Sequence, residues 1–86
     1  MRGIVVHHEH RIGFIVIREL EGGVIVARLN GNYGAERGDA ITGDLNVTGN
    51  TVLLNETNGQ ELSVEIQDGI VTEKDAIELI VKTVNR

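Results

Sequence analysis

Cysteine, proline and tryptophan are absent from this chain, and its only aromatic rings are Phe14 and Tyr33. Without cysteine there is no disulfide framework, no thiol nucleophile and no cysteine-based zinc site. Without proline nothing blunts an open sheet edge, which favours a sheet closed on itself. With two rings in 86 residues, the core must be aliphatic. Serine occurs once, as Ser63, and no Gly-x-Ser-x-Gly surrounds it, so a serine nucleophile has no support. No apolar run approaches a membrane span. Ile4-Val5-Val6 is too short for a signal-peptide core, so a soluble cytoplasmic protein is expected.

The chain does have aliphatic residues, eleven glycines and an uneven distribution of charge. Its length suits one small domain spanning residues 1–86, of a size that oligomerisation often supports. The net charge is −5, which argues against a general phosphate binder. Residues 1–38 carry five arginines against four glutamates, whereas residues 39–86 carry three cations against nine carboxylates. An anionic partner would therefore meet the N-terminal strands; the plainer reading is that both sets are solvated surface charge.

Turn residues divide the chain into strands over about residues 3–8, 11–18, 24–29, 39–48, 51–57 and 61–67. Residues 11–18 and 24–29 form a hairpin through Gly22-Gly23, and it is apolar on both faces. A one-sided sheet should alternate apolar and polar residues, so a helix, a partner or a ligand must cover the second face. Residues 39–67 read as a three-strand meander with one wet face. Ile41, Gly43, Leu45 and Val47 share a side, as do Leu62, Val64 and Ile66. Val52 and Leu54 are expected inside, with Asn55 and Thr57 outside. Gly49-Asn50 is expected to be a turn, and Asn58-Gly59 a type I′ hairpin turn.

Residues 73–84 read as a helix capped by Thr72, with Val71 and Ala76 as a hydrophobic staple. Ala76, Ile77, Ile80, Val81 and Val84 form its packing face. Leu79 falls on the opposite side, which points to a second contact. The fold class that follows is mainly β: a small closed antiparallel barrel of five to six strands with a C-terminal helix.

Several short motifs resemble the OB-fold and, within it, the cold-shock domain. Gly3-Ile4-Val5 looks like that family's opening strand. Arg11-Ile12-Gly13-Phe14-Ile15 resembles its first nucleic-acid motif, and Val24-Ile25-Val26-Ala27 its second. Gly38-Asp39-Ala40-Ile41 is similar to the Gly-Asp that opens a fourth strand, so the resemblance covers about residues 2–47. It implies single-stranded nucleic-acid binding through Arg11, Phe14, Arg18, Arg28, Tyr33 and Arg37. The sequence departs from the family where bases stack: Ile12 replaces a small residue and Ile25 an aromatic one. Each lost stacking position removes about 1–3 kcal/mol. In the family's orientation Phe14 and Val16 project outward with Ile25 and Ala27, making an aliphatic platform. Either the terminal helix lies over that platform, or the helix plugs the barrel end and the platform meets another molecule.

His7-His8-Glu9-His10 is the one cluster with metal-ligand residue types. On a strand His8 and His10 share a face, and His7 and Glu9 share the other. Two imidazoles without cysteine fall short of a structural zinc site, so a polar turn is the simpler reading and no metal or cofactor is expected. The glycine-rich residues 30–38 lack the Lys-Ser/Thr of a P-loop and read as a connection. Tyr33 within it is either a stacking platform beside Arg37 or a lid on the barrel mouth. Carboxylates such as Asp39 and Asp44, or Glu61 and Glu65, have the spacing of a solvated strand face.

The expected function is thus non-catalytic binding. The leading form is a homo-oligomer or a module with a protein partner, using Phe14, Val16, Ile25, Ala27 and Leu79. The alternative is a single-stranded RNA or DNA binder of diverged cold-shock type. For that alternative, micromolar protein should show salt-sensitive binding to labelled single strands that Arg11→Ala and Phe14→Ala reduce. No binding at low salt would dismiss it.

Overall fold

The computed structural model describes residues 2–9, 12–20, 22–31, 34–45, 47–67 and 73–84. They form β1 (Arg2–Glu9), β2 (Phe14–Glu19), β3 (Val24–Leu29), β4 (Ala40–Thr42), β5 (Gly49–Asn55), β6 (Gln60–Ile66) and α1 (Glu73–Val84). The strands close into a barrel in the order β1-β2-β3-β6-β5-β4, with every pairing antiparallel. Two three-strand meanders are thus sealed along two seams, β1 to β4 and β3 to β6. Closure abolishes the edge strands that a chain without proline would leave unprotected.

The barrel interior is aliphatic. Ile15, Ile17, Ile25, Ala27 and Leu29 of the first meander meet Ile41, Leu53, Leu62, Val64 and Ile66 of the second. A second apolar layer lies outside the barrel, where Phe14, Val16 and Val26 pack against Ala76 and Ile80 of α1. The helix therefore lies over the hairpin rather than plugging the barrel end. The Val71–Thr72 cap and staple fall outside the described residues.

Ile25 and Ala27 differ from expectation, because they line the interior and do not share the outer face with Phe14 and Val16. The hairpin register decides this. Ile17 stands opposite Ile25 and Ile15 opposite Ala27, and directly opposed residues share a face. The same register puts Val26 opposite Val16 and Arg28 opposite Phe14 on the outside.

Strand β5 is also in the opposite phase to that expected. Leu53 and Asn55 point inward, while Val52 and Leu54 are 55% and 39% exposed. The run Val52-Leu53-Leu54 is apolar in either phase, so alternation could not choose between them. Pairing with β6 does: Leu53 opposes Leu62 and Thr51 opposes Val64, and both partners are interior. Gly49 and Asn50 belong to β5 rather than to a turn, and β4 stops at Thr42. At the next residue, Gly43, a Cβ would lie 2.8 Å from Leu53 Cδ2, and φ is +146°. Glycine lets the chain cross closely over Leu53 as it leaves the sheet. The β5–β6 connection is four residues long, 56–59. A type I′ turn needs positive φ at both central positions, whereas only Gly59, at φ 74°, adopts it here.

Asn55 is fully buried and uses its whole amide. Its Nδ2 donates to Gly34 O and to Asp39 Oδ2, each at 2.8 Å, and its Oδ1 accepts from Thr57 N at 3.0 Å. Asp39 Oδ2 also accepts from Glu36 N at 2.8 Å, and Asn58 Nδ2 donates to Gly34 O at 2.8 Å. One inward polar residue on β5 therefore anchors residues 34–39 across the barrel mouth. Asn55→Ala is expected to lower stability by about 1–3 kcal/mol in urea unfolding, because it removes a buried amide and its three hydrogen bonds. The exposed Asn58→Ala should cost no more than about 1 kcal/mol. Equal, small losses would show that the network does not hold the loop.

Candidate functional site

β1 and β2 carry the wall against which α1 sets up a groove. The β1–β2 register shifts between Val5 and His7. This bulge adds one residue to β1, so that two residues there face one on the partner strand. Val6 is partly buried against the α1 layer, while His7 stays exposed. Beyond the bulge, His8 turns inward, where its Nδ1–H donates to Ala35 O at 2.7 Å. Val5 N donates to Asp39 O at 2.9 Å and Gly38 N to Val5 O at 2.7 Å, so residues 34–39 are tied to β1 as well as to Asn55.

The helix is apolar over more of its circumference than it can bury. At 100° per residue, the arc from Leu79 through Ala76, Ile80, Val84 and Ile77 to Val81 spans roughly 200°, about twice the stripe that one packing face needs. The structure buries Ala76 and Ile80 and packs Leu79 and Val84 beside them. Ile77 and Val81, expected on the packing face, are 59% and 50% exposed. Leu79, expected to face away, belongs to the layer over the hairpin.

The uncovered flank borders a groove of about 810 Å³. Its strand side is Ile4, Val6 and Val16, and its helix side is Ile77, Ile80 and Val81. Glu9, Arg18 and Arg37 also line it and bring charge to the apolar surface. A concave apolar site with a few polar groups at its border can hold an apolar side chain or segment.

Of the other candidate residues, the structure brings Arg18 and Arg37 to the groove. Phe14 is 7% exposed and, with Val16, lies beneath α1. Arg28 and Arg18 are exposed at opposite ends of the hairpin's outer face. Arg37 is exposed and lines the groove together with Arg18, and Arg11 and Tyr33 lie outside the described residues. Of the histidine cluster, His7 faces outward and His8 inward, while His10 lies outside the described residues. Among the described residues, no group of three or more His, Asp or Glu side chains is placed to hold a metal ion. Gly34 O and Glu36 N are engaged by Asn55, Asn58 and Asp39, so this part of the glycine-rich loop serves as a tied connection. No helix among the described residues is long and apolar enough to cross a membrane. Sequence reasoning missed Ile4, Val6, Ile77 and Val81. The width of the helix's apolar arc was the available signal for the last two, and the bulge that positions Val6 left none.

The chain matches no family model, and comparison with curated proteins and with solved structures returns no match.

Phe14→Ala should cost about 3 kcal/mol in chemical unfolding, as expected for a ring removed from a covered apolar layer. A loss below about 1 kcal/mol would mean that α1 does not pack on Phe14 in solution.

Proposed function

We propose that this chain is a non-catalytic binding module that takes an apolar segment of a protein in the groove between α1 and β1–β2. One observation carries the reading: Ile77 and Val81 are half exposed or more on a helix that is otherwise docked, and they border an apolar groove. Exposed apolar surface of this kind, rimmed by polar residues, marks interaction sites on soluble proteins. The proposal keeps Val16 as part of the groove wall and moves the rest of the contact from Phe14, Ile25, Ala27 and Leu79, which pack within the chain, onto the neighbouring flank of α1. It keeps the cytoplasmic setting expected from the sequence.

The barrel and its terminal helix are compatible with an OB-like plan, with six strands where that fold has five. Less supports the single-stranded nucleic-acid reading. Phe14 lies under α1, and stacking there would require the helix to leave an apolar layer. Catalysis likewise has little behind it, since Ser63, Glu61 and Glu65 lie on the outward side of β6.

Random displayed peptides selected on the immobilised protein test the groove. Enriched peptides should be apolar, and Ile77→Asp should weaken their binding by at least about tenfold. Binding that is indifferent to both Ile77→Asp and Val81→Asp would overturn the proposal.

A further inference from the structure

We propose that Asn30-Gly31 is a site of spontaneous deamidation in the folded protein, and that the fold protects the chain's other Asn-Gly pair, Asn58-Gly59. Asparagine followed by glycine is the most labile context for this reaction, because no side chain on the next residue hinders ring closure. The remaining asparagines precede Tyr33, Val47, Thr51, Glu56 and Arg86. The reaction consumes only water. The backbone nitrogen of the glycine gives up its proton to solvent and attacks Cγ of the asparagine. The N–Cγ bond forms, the Cγ–Nδ2 bond breaks and ammonia leaves. Water then opens the succinimide ring at either carbonyl, giving aspartate or isoaspartate, and nothing is oxidised or reduced.

The two pairs differ in what holds the reacting atoms. At the second pair, Gly59 N donates to Asn55 O at 2.8 Å, so the nucleophile is engaged. The electrophile is fixed as well: Asn58 Nδ2 donates to Gly34 O at 2.8 Å, and Asn58 Oδ1 accepts from Gln60 N at 2.9 Å. Ring closure there requires these bonds to be given up. At the first pair, Asn30 and Gly31 are both exposed, and among the described residues Gly31 N makes no hydrogen bond. The Asn30 side chain donates from Nδ2 to Asn50 Oδ1 at 3.3 Å, beyond the usual range for N–H···O. The site lies where β3 ends, just past the Leu29 strand position. Deamidation there replaces a donor by a carboxylate facing Asn50 Oδ1. It removes this tie between β3 and β5 and adds negative charge to a chain already at −5.

Incubation of the intact chain in warm, mildly alkaline buffer, with and without urea, tests this. Tryptic cleavage after Arg28, Arg37 and Lys74 puts the two pairs in different peptides, and fragment ions in tandem mass spectrometry identify the converted asparagine. In the folded protein, conversion at Asn30 should run at least about tenfold faster than at Asn58, the equivalent in rate of one or two net hydrogen bonds. In urea the two rates should converge, because both pairs then lie in open chain. Asn58 converting as fast as Asn30 in the folded protein would overturn the proposal. So would an Asn30 that stays intact until urea is added.

Discussion

The β2–β3 hairpin is apolar on two sides, and a barrel wall can bury only one of them. Ile15, Ile17, Ile25 and Ala27 fill the interior. Phe14, Val16 and Val26 are left outside and need a cover. Burying a side chain of this kind stabilises by about 1.5–3 kcal/mol. Three of them exposed together would forfeit a large part of the roughly 5–15 kcal/mol that holds a typical domain. The terminal helix is therefore part of the fold, and its place over the hairpin follows from the strands it covers. Because α1 is apolar over a wider arc than the hairpin can bury, covering one face leaves a second apolar surface on its flank. The proposed site is a by-product of how the core is completed.

A polar network holds residues 34–39, next to the groove. Asn55 points into the barrel mouth and ties residues 34–39, which His8 and the β1 bulge hold from the other side. Buried polar groups are costly unless each is satisfied, and the Asn55 amide meets that condition through local and distant partners. Gly34 O, Ala35 O, Glu36 N and Gly38 N are all engaged by this network and by β1. A segment whose glycines suggest a phosphate cradle thus acts as a closure of the barrel.

Much of the architecture was legible in the residues. The glycine punctuation located most strands, the missing proline favoured closure, and the helical spacing after residue 72 marked α1. Face assignments failed where the pattern was degenerate. Val52-Leu53-Leu54 reads equally well in either phase, and a polar Asn55 argued for the wrong one because its hydrogen bonds lie far along the chain. Ile25 and Ala27 lie inside because the hairpin register sets them opposite Ile17 and Ile15, and the cold-shock resemblance, which implies the outer face, does not extend to that register. The candidate site fared worse. Ile77 and Val81 were visible as apolar positions, but whether they pack or protrude depends on where the helix axis lies on the barrel.

Residue spacing by itself determined the kinds of element, their order and the need for a second layer on the hairpin, because these depend on local periodicity and on apolar content. Only the tertiary structure decided which side of β5 faces inward, where β1 bulges and which flank of α1 is left open. Those choices depend on pairing between strands distant in sequence and on the curvature of a closed sheet beneath a straight helix, and neither leaves a local mark on the chain.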